Sequence, residues 1–381
     1  MSWRLPLADV RLSEPVIAAA MDALRSNWLT MGPRTQELER EFAAAVERPH
    51  GVAVSSGTAG LHLACLAAGV GEGDEVIVPA LGFVADAHAA HWCGGRTVFA
   101  DISSERQPLL DPEAVEPLIT DRTKAVLAIH MFGYPLELAG LRELCDERGI
   151  ALIEDCCEAV GATFADGSSV GTAGQSGCFS FFAKTQLPVG EGGIVTTAEA
   201  EVADRIRLLR SHAMTSVTWD RRRGHAETYD ITDLGFNYRL DEPRAAMASA
   251  HLRELESRLG KLRGTVAAYR EGLAGVEGIT VPFDDEQALR AGHFAFPVLA
   301  PDHASRDRIR ATLAERGVQT TFYPAITSLG LYEEAGREHP CPRAEDFAER
   351  HFAMPLSTSM GPEDVELACA ELEAAATAVA A

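Results

Sequence analysis

Two rhythms of apolar positions run through the first two thirds of the chain. One returns at the spacing of a helix face, and the other appears as short uninterrupted apolar runs of strand length. Ser13 before EPVIAAAMDAL predicts a capped helix start with Pro15 in the first turn. TAGLHLACLAAG, Thr58 to Gly69, predicts an Ala/Leu-rich helix closed by glycine, and GEGDEVIVP predicts a turn into a buried strand ending at Pro79. VADAHAAHWCGG reads as a helix leading to strand RTVFAD. Two further strands, AVLAIH ending at His130 and IALIED ending at Asp155, straddle the helix-like LELAGLRELCDERG. GCFSFF and GGIVTT predict strands around the loop SFFAKTQLPVGEGG, Ser180 to Gly193, with a charged helix from Glu199 to His212 behind them. Past Pro243, AAMASAHLRELESRLGKLRGTVAAYREGL predicts one long amphipathic helix, and a smaller α+β unit follows it. These βαβ units predict an α/β fold with a large unit over 1–252 and a small C-terminal unit over 253–381.

The composition suits that reading. The chain has 381 residues, 46% of them hydrophobic and 24% charged, enough for a large core and two units. No apolar run approaches the roughly 20 residues that span a bilayer. The start, MSWRLPLADVRL, lacks the basic-then-apolar order of a secretion signal, so a cytoplasmic protein is expected. Eight cysteines without a CxxC or a Cys/His run at ligand spacing predict free thiols and no metal. A formal net charge of −22 repels phosphate backbones and argues against nucleic acid as partner. Among the 34 basic residues only Lys124, Lys184 and Lys261 are lysines, so each lysine carries information.

Open α/β sheets gather ligands where strands end at their carboxyl edge. SSGTAG, Ser55 to Gly60, stands directly before a helix. Free amides there, a Thr58 hydroxyl and the room left by Gly57 suit a phosphate, while an ordinary helix-capping turn explains the same residues. Asp155 closes a buried strand, where a carboxylate needs a partner such as a protonated pyridine nitrogen; the alternative is a solvated loop start. His130 ends the neighbouring strand and either lines the same crevice or is satisfied within the core. WDRRRGH, Trp219 to His225, concentrates positive charge and is either an anion-binding loop or a solvated surface.

Taken as a set, SSGTAGLHLACLAAGVGEGDEVIVPALGF, IHMFGYP, IEDCCEAVGA, SFF with GEGG, and LGFNYRLDEPRAAM resemble the DegT/StrS family of pyridoxal-phosphate-dependent sugar aminotransferases. The resemblance extends from SNWLTMGPRTQELE at Ser26 to FYP at Phe322 and HFAMPLS near Leu356. It implies a type I aminotransferase fold, a mainly parallel central sheet with flanking helices plus a smaller C-terminal α+β domain, working as a homodimer whose sites draw on both subunits. It implies pyridoxal 5′-phosphate as cofactor, with pyridoxamine 5′-phosphate as its intermediate form. By the same resemblance Gly57, Thr58, Ala59 and Ser180 bind the phosphate, Asp155 pairs with the ring nitrogen, Phe83 stacks on the ring and Glu158 lies near its hydroxyl. Asn237 reaches the phosphate of the partner's cofactor, and Ala213 after His212 stands where the family has glycine. Trp28, Arg221, Arg239 and Tyr323 are candidates for the substrate pocket. The implied substrates are a keto sugar, nucleotide-linked by preference, or a keto cyclitol, with glutamate or glutamine as donor.

The loop departs from the family at the residue that matters most. The Schiff-base lysine of the family stands five residues after the serine of its SF motif, and that position here is Thr185, with Lys184 one residue earlier. A one-residue shift moves a Cα by about 3.8 Å and, in extended chain, turns the side chain to the opposite face. Three readings stay open. Either the loop turns Lys184 toward the cofactor and the protein is an aminotransferase, or Thr185 faces it and noncovalent chemistry such as sugar dehydration or elimination follows. A noncatalytic ligand-binding member of the family is the third.

Overall fold

The short apolar runs form the centre of the molecule. The computed structural model describes residues 3–216, 218–224 and 227–380, so His225 of the arginine run lies outside the described residues. Helices α1 (Glu14–Arg25) and α2 (Pro33–Ala45) precede strand β1 (His50–Val54). There follow α3 (Gly57–Ala67), β2 (Glu75–Pro79), α4 (Val84–Trp92), β3 (Arg96–Ala100), β4 (Thr123–Ile129), β5 (Ala151–Asp155), β6 (Ser176–Ser180) and β7 (Gly193–Thr197). The seven strands make one sheet in the order β1-β7-β6-β5-β4-β2-β3. From β3 to β6 every pairing is parallel, and β7 runs antiparallel to both β1 and β6. Strands covered on both faces need apolar residues throughout, which is why β2 and β4 read as continuous runs.

Register then places the chemistry. Ile129, Asp155 and Cys178 are cross-strand neighbours, so β4, β5 and β6 end side by side. On the antiparallel side Val54 pairs with Gly193, and Gly193 with Ser180. The turn after β1 therefore lies beside Ser180. Gly193 is glycine because a Cβ there would come within 2.7 Å of the Ser56 carbonyl carbon and 2.8 Å of the Gly57 nitrogen. Helix α3 starts from this turn and packs across β5, β6 and β7, pointing its N-terminus at the common strand edge.

The chain past Pro243 differs from the single long helix expected. Helices Glu242–Arg253 and Leu255–Gly272 break at Glu254, whose carboxylate accepts the Ser13 hydroxyl at 2.8 Å. The same contact corrects the reading of Ser13: it occupies the N-cap of α1, yet its side chain makes no cap bond. Farther on, β8 (Phe296–Leu299) pairs antiparallel with β9 (His351–Met354) against helices His303–Glu315 and Pro362–Ala380. The first residues of the chain join this distant part: the amides of Arg4 and Leu5 donate to the Gly317 carbonyl at 2.9 and 3.0 Å, and Leu356 N donates to Leu7 O at 3.1 Å. Among the described residues no helix is long and apolar enough to cross a membrane. All eight cysteines are free thiols.

Candidate active site

A cleft of about 380 Å³ opens at the shared strand edge, lined from the sheet side by Gly57, Thr58, Asp155, Glu158 and Ser180. Its anion end is the start of α3. There the Ser56 hydroxyl caps the helix by accepting from Ala59 N at 3.1 Å. Ala59 is thus engaged by the cap, and the first-turn amides of Gly57 and Thr58, which no helix carbonyl can reach, are left for an anion. A Cβ on residue 57 would lie 2.5 Å from Cys157 Sγ and 3.0 Å from Ser180 Cβ, so only glycine fits the wall of this seat.

The same cleft holds acidic residues, Asp155 and Glu158 among them. Asp155 is 6% exposed and accepts from Cys157 N at 2.8 Å. Its place at the end of β5 answers the choice left by the sequence in favour of a buried carboxylate. Glu158 receives the backbone amide of Phe132 at 2.6 Å. Burial pushes its carboxyl up to about 8 against the pull of Lys184 and of that amide. Phe83, at the N-cap of α4, is 63% exposed and borders the opening.

Lys184 faces this cleft. Its Nζ donates to the Tyr323 hydroxyl at 2.9 Å and lies 4.3 Å from the centre of the Phe294 ring. Burial pulls the amine below the ordinary lysine value, with the Glu158 charge opposing. Thr185 also borders the cleft but is buried, and its hydroxyl donates to the Phe182 carbonyl of its own turn at 2.9 Å. That bond and the amide bond from Thr185 N to Phe182 O curl the loop, so the strict two-face alternation of an extended segment does not apply. Lys124 and Lys261 are exposed on β4 and on helix Leu255–Gly272.

Other expected residues lie elsewhere. His130 is fully buried and does not border the cleft; Nε2 bonds Glu154 at 3.1 Å, and Nδ1 accepts Leu136 N at 3.0 Å. Those two bonds fix the ring as a core element rather than a catalytic one. Glu154 also takes the amides of Gly171 and Gly174 at 2.7 and 2.6 Å. The fold brings His130, Glu154 and Cys156 within 4.8 Å, a grouping that linear spacing hides, but the imidazole and carboxylate are already committed to protein donors and acceptors. Arg221 donates to Ser216 O at 2.7 Å on its own loop, and Arg222 stacks over Trp28 at 4.4 Å. Arg239 donates to the Ser211 hydroxyl at 3.2 Å. Asn237 is exposed, and none of Trp28, Arg221, Arg239 and Asn237 borders this chain's own cleft. Ala213 keeps the left-handed backbone of a glycine at φ 53°, so the loop retains that shape with an L residue in it.

Sequence reasoning missed Cys157, Phe182, Glu191 and Phe294, all on the cleft wall. Phe294 comes from far along the chain, where only its place in the apolar run HFAFPVLA marked it.

The residues present fit pyridoxal phosphate: an anion seat that a side chain would fill, a buried carboxylate and an amine with a lowered pKa on one cleft.

Comparison with known proteins agrees with this geometry. The family described as the DegT/DnrJ/EryC1/StrS aminotransferase family matches residues 11–373. A relative from Streptomyces venezuelae, dTDP-3-amino-3,4,6-trideoxy-alpha-D-glucose transaminase, is 35% identical over 362 residues, covering 93% of this chain and 91% of its own. The structure of the aminotransferase TlmJ from Streptoalloteichus hindustanus matches with a TM-score of 0.89 at 32% identity, covering 100% of both chains. That of DesV from S. venezuelae matches with a TM-score of 0.88 at 32% identity, covering 98% of this chain and 99% of its own.

Proposed function

The chain belongs to the DegT/DnrJ/EryC1/StrS aminotransferase family and is a pyridoxal-phosphate-dependent aminotransferase, and from that premise we propose that it transfers an amino group from glutamate or glutamine to the carbonyl of a keto sugar, nucleotide-linked by preference, or a keto cyclitol. The product belongs to amino-sugar biosynthesis. The observation that carries this reading is the direction of Lys184, whose amine lies in the cleft beside Glu158 and Tyr323 while Thr185 bonds its own turn.

When bound, the cofactor supplies an aldehyde that exchanges amines and a protonated ring that draws electrons from the reacting carbon. Gly57, Thr58 and Ser180 would hold its phosphate, Asp155 would accept from the ring nitrogen, and Phe83 would border the ring. Lys184 would supply the amine that binds the aldehyde and, as a free amine, would take the proton from the donor's Cα. Burial favours the neutral amine, the form able to do both.

The enzyme works in the cytoplasm as a homodimer, with Asn237 and the arginine loop serving the neighbouring copy's cleft. Supporting this, Asn237 is exposed and Arg221 stands away from this chain's own cleft. Residues 253–381 act as the small unit that brings Phe294 and Tyr323 over Lys184.

The test is reduction with borohydride in the presence of pyridoxal phosphate, followed by peptide mass spectrometry. A label on Lys184, together with glutamate-dependent formation of pyridoxamine phosphate that Lys184→Ala abolishes, is the expected result. Bound cofactor with no lysine adduct overturns the assignment and moves the chemistry to a noncovalent dehydration or elimination.

A further inference from the structure

Asp86 is a buried carboxyl next in the chain to the cleft residue Ala85, and the assignments above give it no task. It lies in the first turn of α4 and has 0% exposure. Neither of its oxygens meets a hydrogen-bond donor among the described residues. Its acidic neighbour is Asp155, whose charge opposes its ionisation. Two carboxylates cannot hydrogen-bond each other without a proton between them, and two bare charges in a dry site repel strongly.

The groups around Asp86 leave the pair short of positive charge. Asp155 faces it from β5 and Glu158 from the loop beyond. The thiols of Cys65 on α3, Cys157 after β5 and Cys178 on β6 sense it as well. Its own amide at the start of α4 favours its charge, a lesser influence than burial and the two acids. With neither oxygen hydrogen-bonded, no helix cap explains its presence in the first turn.

We propose that Asp86 is a positioning residue for the reaction: a neutral carboxylic acid that donates its proton in a hydrogen bond to Asp155, so that the two carboxyls carry one negative charge between them. Burial and the charge of Asp155 drive the Asp86 carboxyl far above the usual carboxylate range, in agreement with the geometry. Asp155 then receives Cys157 N and the Asp86 hydroxyl from the protein. Its remaining acceptor capacity is what it offers a pyridinium nitrogen, and one net charge matches one ring proton. The bond holds the Asp155 carboxylate in place for the ring nitrogen. The inference rests on Asp155 being the ring-nitrogen partner; the protonation of Asp86 itself does not.

Infrared difference spectroscopy of the purified enzyme reads that protonation directly, before and after saturation with pyridoxal phosphate. The expected result at neutral pH is a carboxylic-acid C=O stretch that shifts in D₂O and is missing in Asp86→Asn. Wild-type and Asp86→Asn spectra that coincide in this region overturn the proposal, whatever happens at Lys184. Cofactor binding supplies the second readout. Asp86→Asn keeps an N–H donor and retains the wild-type affinity for pyridoxal phosphate within about threefold, whereas Asp86→Ala leaves Asp155 without that donor and weakens binding roughly tenfold. Equal affinities for Asp86→Ala and wild type, with Asp86→Ala folded by circular dichroism, also overturn it. A wild-type enzyme that shows the infrared band but binds no cofactor defeats the functional reading and leaves the shared proton standing.

Discussion

Lys184 Nζ donates to the Tyr323 hydroxyl over 2.9 Å, a bond that ties the β6–β7 loop to residues beyond helix His303–Glu315. Tyr323 is itself fixed, because its backbone amide donates to His351 Nε2 at 3.1 Å and its ring lies 5.8 Å from that of Phe132, edge to face. The displaced lysine therefore meets a prepared partner, which explains how a one-residue shift in the loop still delivers the amine to the cleft.

Tyr323→Phe removes that partner without altering the ring. The amine then samples other rotamers, and kcat falls about tenfold, the equivalent of roughly 1.4 kcal/mol. The borohydride label stays on Lys184. Steady-state turnover beside peptide mapping checks both halves, and an unchanged kcat rejects a positioning role for Tyr323.

Glu158 and Lys184 titrate against each other. Burial lowers Lys184, and the Glu158 charge raises it. Because the neutral amine attacks the aldehyde, loading of cofactor-free enzyme rises with pH and levels off below the pH an ordinary lysine requires. Glu158→Gln removes the upward pull, so the midpoint of loading rate against pH moves down. Glu158 is ionised chiefly above pH of about 8, and the two profiles separate most there. A midpoint that moves up in Glu158→Gln contradicts the pairing.

Local patterns carried much of the fold into the sequence. The strand ends at Asp155 and His130 and the turn at Gly57 were legible because a buried strand and a glycine before a helix leave signatures a few residues long. What His130 does was not legible, since its partner Glu154 lies on the next strand and Leu136 closes the ring's other nitrogen only after the chain turns. Asp86 was hidden for a related reason: one acid in an alanine-rich helix reads as part of a solvated face until Asp155 is known to face it. The pairing of Leu5 with Val318 and the arrival of Phe294 over Lys184 depend on packing between residues far apart in the chain. The break at Glu254 needed Ser13, more than two hundred residues away.

Glu242 supports α2 from a distance. It is 2% exposed and accepts from Gly32 N at 2.8 Å, Arg34 N at 2.9 Å, and Thr35 N and Oγ1 at 2.9 and 2.8 Å. Gly32 at the N-cap has no side chain to do this. Glu242→Ala leaves these donors without an acceptor and costs about 3 kcal/mol of stability. Urea unfolding measures it, and a loss under about 1 kcal/mol means solvent replaces the carboxylate more easily than its burial indicates.

Gly57 tests the anion seat by shape alone. The Cβ of Gly57→Ala meets Cys157 Sγ at 2.5 Å and Ser180 Cβ at 3.0 Å, so either the thiol moves or the start of α3 does. Helix propensity favours alanine over glycine at this first turn, so a loss of cofactor affinity cannot come from the helix itself. The expected result is a fall in pyridoxal phosphate affinity of roughly a hundredfold, because the amides of residues 57 and 58 and the Ser180 hydroxyl no longer converge. Cys157→Ala combined with Gly57→Ala removes the closer collision and leaves the tighter-than-usual approach to Ser180, so affinity returns in part. Titration of the single and double variants with pyridoxal phosphate measures the difference. A double variant no better than the single one shows that the Ser180 contact, rather than the Cys157 thiol, limits the seat; a single variant that binds like wild type removes the phosphate from this turn.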